Sequence, residues 1–174
     1  MSSFNKTLDD YVWERSPVDI NAFYVNSWNR LVLPIGMFNE PFYSSDRPAS
    51  LNFATLGFVV AHEISHGFDN TGRKHGNDGR LFDWWSKNAS NEFDDRTQCF
   101  KNQYSDYAYE GTSMVNGLNT LTENIADNAG LRTALKAFEI HAAKYGHNSR
   151  ARLPDSMSKY TSKQLFFLSF ANVS

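Results

Sequence analysis

Two imidazoles four residues apart, with a glutamate directly after the first, stand in the stretch Ala61-His62-Glu63-Ile64-Ser65-His66. On an α-helix, positions i and i+4 share one face, so His62 and His66 can present ring nitrogens to one ion at about 2.0–2.1 Å. Glu63 projects roughly 100° round the axis. That direction suits a base for a metal-held water better than a third ligand. The competing reading is an amphipathic helix whose histidines are hydrogen-bonded and metal-free.

A catalytic zinc keeps about three protein ligands and one open position, so the histidine pair needs a partner elsewhere. His75 lies in a glycine-rich stretch, and His141 and His147 lie among Lys and Asn; all three read as surface side chains. Among the acids, Glu123 stands out because Asp127 follows one helical turn later, beside small and apolar neighbours. Glu123 then supplies the third ligand, and Asp127 accepts a proton from the far nitrogen of a liganding imidazole. Without the histidine motif, Glu123 reads as a helix-start acid favoured by the dipole.

The elements that must position these residues are legible in outline. Leu56 to Ala61 is an apolar lead into the motif, a buried helix or a buried strand by periodicity alone. Gly67 and Gly72 are stop signals for a helix of about four turns. Ile20 to Val25 and Arg30 to Pro34 read as a strand pair joined by the polar Asn26 to Asn29, and Pro34 marks a strand end. A loop through Pro41 and Pro48 leads to the motif helix. Asn70 to Gly79 is a loop, and Asp83 to Tyr109 has few breakers and reads as helix. Leu118 to Tyr145 forms one long helix or two abutting ones, weakened at Gly130. Thr161 to Asn172 is a last helix that buries heavily. The sum is a mainly helical α+β fold with a small sheet.

At 174 residues the chain suits one domain. A formal charge of −2 without a basic patch argues against a nucleic-acid partner, and there is no Lys/Arg run for an anionic membrane. Met1 to Asp10 carries no signal-like apolar region, and no apolar run approaches about 18 residues. Cys99 is the only cysteine, so no internal disulfide forms. Three acceptor triplets for N-glycosylation begin at Asn5, Asn88 and Asn172 and suit a secreted protein.

The sequence resembles the neprilysin family of zinc metalloendopeptidases, which includes the endothelin-converting enzymes. The stretches that carry the resemblance are Asn21-Ala22-Phe23-Tyr24, Leu33-Pro34-Ile35-Gly36, His62 through Asp69 continuing to Gly72-Arg73, and Asp83-Trp84-Trp85. Asn116 to Leu121, Glu123 to Asp127 and Gln164 to Leu168 follow in the same order, so the similarity covers nearly everything from Val18 onward. It implies a thermolysin-like zincin catalytic domain over residues 18–174, after a lead-in at 1–17.

By that resemblance, His62, His66 and Glu123 bind one zinc ion per chain and Glu63 is the general base. Asp69 and Asp127 orient the histidines. Asn21 and Ala22 match the family's substrate-binding edge strand, where a peptide adds as an extra strand. The implied partners are peptides. The implied setting is extracellular or at the cell surface, with membrane association only through a segment outside this chain.

The chain also departs from the family pattern. Family members are several times larger, with a helical N-terminal region that encloses the site. Their C-terminal segment supplies an oxyanion-stabilising histidine and a substrate-orienting arginine, and this chain stops at Ser174 before either. Cys99 matches half of a family disulfide whose partner lies near that same C-terminus. Asn70 stands where a second aspartate is common, and Ala129 where a glycine is. Two expectations follow: a partial zinc metalloendopeptidase catalytic domain, or a truncated zinc- or peptide-binding domain without turnover.

Overall fold

The computed structural model describes residues 16–109, 113–146 and 153–173. Residues 1–15 of the lead-in, the triplet at Asn5 and His147 lie outside them. The architecture is mainly helical, with two small antiparallel strand pairs. Among the described residues, no helix is long and apolar enough to cross a membrane.

Strand β1 (Phe23–Val25) pairs with β2 (Arg30–Val32), with Phe23 opposite Val32 and Val25 opposite Arg30. The polar connection is a 3₁₀ turn closed by Asn29 at φ 47°, a left-handed conformation that Asn tolerates. The pair is shorter than Ile20–Pro34. Upstream of β1 the chain runs instead against Gly36, where a Cβ would stand 2.5 Å from the carbonyl oxygens of Val18 and Asp19.

Helix α1 (Ala49–Ala54) occupies what reads in sequence as the end of a loop, and α2 (Leu56–His66) carries the motif. The two are separate because the Phe42 carbonyl intrudes between them. It accepts from the Leu56 N–H at 3.3 Å, from Arg47 Nη2 at 2.9 Å and from the Thr55 hydroxyl, so the helical ladder cannot run through. Helix α2 ends at His66, about three turns long rather than four. Gly67 follows with φ −62°, right-handed, so it does not serve as a left-handed stop. A side chain there would meet the Tyr24 hydroxyl at 2.9 Å. Close packing by Tyr24, not backbone freedom, calls for glycine at this position.

Helix α3 (Lys87–Ser105) starts later than Asp83 because the Ser86 hydroxyl caps it, accepting from the Ala89 N–H at 3.2 Å. It is a surface helix on which Cys99 is exposed. It ends at Ser105, short of the Tyr109 to which the sequence reads as helix, and β3 (Ala108–Tyr109) pairs antiparallel with β4 (Ser113–Met114) instead. Helix α4 (Leu121–Tyr145) is continuous through Gly130 and packs along α2. Small residues let these helices approach: Ala54, Ala61, Ala134 and Ala142 surround Phe138 and Phe166 in the core. Helix α5 (Ser162–Phe170) opens with a Thr161/Gln164 capping box. It buries one face only, Leu165 and Phe166, and leaves Phe167 and Leu168 about 40% exposed, less than the heavy burial its composition suggests.

Candidate functional site

The site forms where three elements meet: the C-terminal turn of α2, the first turns of α4, and the chain entering β1. Helical spacing brings His62 and His66 together, with Nε2 atoms 3.0 Å apart. Each ring is held from behind by a carboxylate. Asp127, from α4, lies 2.8 Å from His62 Nδ1, and Asp69 lies 2.8 Å from His66 Nδ1.

These contacts assign the protons. A carboxylate only accepts, so each Nδ1 carries a hydrogen, and in the neutral form of either ring the lone pair lies outward at Nε2. A carboxylate oxygen of Glu123 stands 3.4 Å from His62 Nε2 and 3.6 Å from His66 Nε2. Three acceptors therefore converge on one point. The edges of their triangle are close to the ~3.3 Å expected between neighbouring ligands around a tetrahedral zinc. The donor set, two imidazoles and one carboxylate, fits that metal.

Glu63 has a carboxylate oxygen within 4.8 Å of a ring nitrogen of each histidine. Glu123, at 3.4 and 3.6 Å, has ligand-like spacing to both rings. Glu63 is 8% exposed, and burial pushes its carboxyl above the usual carboxylate range. The neighbouring His62 and His66 and a backbone hydrogen bond from Tyr24 pull in the other direction, with less effect. The His66 imidazole is raised, chiefly by its hydrogen bond to Asp69, against burial and with help from the charges of Glu123, Glu63 and Asp69.

Asp69 is almost fully buried and takes more than the imidazole. Its other oxygen accepts from the N–H groups of Thr71 and Gly72, each at 2.7 Å. Gly72 is required there, since a Cβ would fall 1.8 Å from the His66 carbonyl oxygen. The loop after α2 is thus folded back onto the histidine it supports. Arg73 fastens it further, with Nη2 2.9 Å from Asp94 Oδ1 and its guanidinium 4.5 Å from the centre of the Phe93 ring.

An open cleft of about 450 Å³ lies in front of the three acceptors, and Asn21, Ala22, Tyr24, Thr71 and Thr122 help to line it. Asn21 and Ala22 precede β1 rather than belonging to it. Ala22 is buried, and its N–H is held by the Asn21 side chain at 2.9 Å. All eight site residues expected from sequence therefore border or support one cleft. Sequence reasoning assigned no role to Tyr24, Asn70 or Thr122, although Tyr24 lies in a family-like stretch, Asn70 departs from the family pattern, and Thr122 directly precedes Glu123. His75 and His141 stand apart from the site and are half-buried rather than surface side chains.

The sequence matches the profile of Peptidase family M13 over residues 21–174. Mouse neprilysin is 39% identical across 99% of this chain and 23% of its own length. Neprilysin-1 of Caenorhabditis elegans is 44% identical across 88% of this chain and 20% of its own. Mouse endothelin-converting enzyme 1 is 42% identical across 92% and 20% respectively. Among solved structures, the zinc metalloprotease Zmp1 of Mycobacterium tuberculosis in complex with inhibitor superposes with a TM-score of 0.82 at 32% identity, covering 93% of this chain and 24% of that one. A Haemonchus galactose-containing glycoprotein complex gives 0.83 at 34% identity, covering 93% and 25%. The fold is thus the one seen in a zinc metalloprotease of known structure. The chain belongs to Peptidase family M13. It spans about a fifth of the length of the curated relatives it matches.

Proposed function

We propose that this chain is the zinc-binding, water-activating part of an M13 metalloendopeptidase, with residues 18–174 as a partial catalytic domain. His62, His66 and Glu123 hold one zinc ion, and Asp127 and Asp69 fix the two imidazoles in the ligating tautomer. The observation that carries this reading is the convergence of three acceptors, two of them backed by carboxylates, on a single point beside Glu63.

Zinc, when bound, polarises the scissile carbonyl and acidifies the attacking water. Glu63 takes the proton from that water at its carboxylate and delivers it to the leaving amine. Its burial favours this exchange, because a carboxyl held above its ordinary range is a better proton acceptor. The peptide lies along the Asn21–Tyr24 side of the cleft, where an extended segment can add beside the chain that enters β1. Peptide substrates and an extracellular or cell-surface setting belong to the same reading, by relation to neprilysins and endothelin-converting enzymes.

A quenched fluorogenic peptide, assayed with and without added zinc and with Glu63→Gln as control, tests the proposal. Zinc-dependent cleavage that Glu63→Gln abolishes supports it. Zinc binding without cleavage establishes a zinc- or peptide-binding domain instead. A chain that binds no zinc overturns both.

A further inference from the structure

Glu123 reaches the histidines from the first turn of α4, with its side chain 62% exposed, so the backbone of that turn sets its aim. That turn has no side-chain cap on its orphan N–H groups. The Thr120 hydroxyl donates to the Asn116 carbonyl and accepts from Asn124 instead. Uncapped first turns are the part of a helix most prone to open. The firm contact between α4 and α2, at Gly130, lies about two turns further on, roughly 10 Å along the axis.

Leu121 anchors the turn by burial, and a long-range hydrogen bond ties it to the loop after α2. The Thr122 hydroxyl donates to Asn70 Oδ1 at 3.0 Å. Thr122 directly precedes Glu123, and Asn70 directly follows Asp69, the residue that holds His66 and folds the loop back through Thr71 and Gly72. The bond therefore links the backbone that aims the carboxylate to the backbone that aims the imidazole.

We propose that Asn70 and Thr122 are a positioning pair that sets the spacing between Glu123 and His66 for the metal. The inference rests on the zinc reading above and adds two residues to it. Asn70 supplies the acceptor without placing another negative charge beside the buried Asp69.

The test is zinc affinity, measured by competition with a chromophoric chelator, for the whole chain and for Thr122→Val, Thr122→Ser, Asn70→Ala and the Thr122→Val/Asn70→Ala double variant. Thermal unfolding of each metal-free protein is recorded in parallel. Thr122→Val and Asn70→Ala are expected to weaken zinc about five-fold each, the size of one net hydrogen bond. The double variant is expected to be no weaker than either single, because the two act as a unit. Thr122→Ser retains the donor and restores the parent affinity. Unchanged affinity in Thr122→Val, or losses that add in the double variant, overturns the inference. So does a fall in metal-free stability with affinity intact, the mark of a merely structural bond. Failure of the parent chain to bind zinc overturns the zinc reading itself.

Discussion

Gly130 of α4 lies directly against the backbone of His62: a Cβ on Gly130 would stand 2.8 Å from both the Cα and the backbone nitrogen of His62. The glycine that weakens the middle of a 25-residue helix is what lets that helix approach the helix of His62 and His66. The contact also sets the height of Asp127, one turn earlier on α4, over the ring of His62.

Gly130→Ala sets two effects against each other. Alanine improves helix propensity by about 1 kcal/mol. The added methyl meets main chain, which cannot rotate away, and overpacking of this kind costs about 1–3 kcal/mol. We expect net destabilisation, with the melting temperature of the metal-free protein lowered by about 2–4 °C per kcal/mol, and weaker zinc binding as Asp127 and Glu123 move away from the histidines. A higher melting temperature with unchanged affinity would show that the helices have room to spare.

Glu63→Gln makes a prediction about stability that is separate from its effect on cleavage. A carboxyl raised by burial binds its proton more tightly in the folded state than in the unfolded one. The ionised form thus costs stability, and the cost grows as pH rises from about 4.5, the unfolded value, through the higher folded one. The isosteric amide removes that cost. The metal-free variant is expected to melt above the parent at pH 7, with the difference shrinking toward pH 4. Melting curves at the two pH values check this, and equal melting at pH 7 refutes it.

Arg73 is the clamp on the loop behind His66. Its guanidinium sits between Phe93 at 4.5 Å and Trp85 at 5.5 Å, bonds Ser90 at 3.3 Å and pairs with Asp94 at 2.9 Å. Because the Asp94 carboxylate is 61% exposed, the ion pair contributes little and the stacking most. Lysine keeps the charge but cannot stack on two rings or fork its hydrogen bonds. Arg73→Lys is expected to cost about 1–2 kcal/mol, read as a lower urea midpoint. Parent-like unfolding would place the stabilisation of this loop elsewhere.

The two halves of the candidate site were legible from sequence because their logic is local. His62 with His66, and Glu123 with Asp127, are each one turn apart on one helix, so spacing shows the two pairs, while Asp69, Asn21 and Ala22 came from the family resemblance. What could not be read was the meeting of the elements. The break at Thr55 depends on the Phe42 carbonyl, thirteen residues upstream, taking the Leu56 N–H. Gly130 reads as a weakness until α2 lies against it, and Gly67 reads as a helix stop until Tyr24 packs over it. Asn70 and Thr122, 52 residues apart, give no sign of being bonded. In each case the deciding partner is distant in sequence, and neither propensity nor periodicity carries that information.

The two supporting aspartates look equivalent in sequence, each behind one histidine, yet the structure separates them. Asp127 is 48% exposed, and the hydrogen bond it makes is to His62. Asp69 is 1% exposed and accepts from Thr71 and Gly72 as well as His66. Asp127→Asn is therefore expected to weaken zinc about 10–100-fold, the usual effect of losing such a partner, with little change in metal-free stability. Asp69→Asn is expected to weaken zinc comparably and to destabilise the metal-free fold as well. That destabilisation should depend on pH. The His66 imidazole is raised chiefly by Asp69, so the stability it contributes is fully present below about 6.5, the unfolded value, and is lost as pH rises through the folded one. The Asp69→Asn deficit should accordingly be larger at pH 5.5 than at pH 8.5, while asparagine, with one acceptor oxygen in place of two, forfeits at both either the His66 hydrogen bond or those from Thr71 and Gly72. Urea unfolding of the two metal-free variants at these pH values, with chelator competition at pH 7.5, checks the contrast. Equal metal-free stabilities for the two variants would refute it.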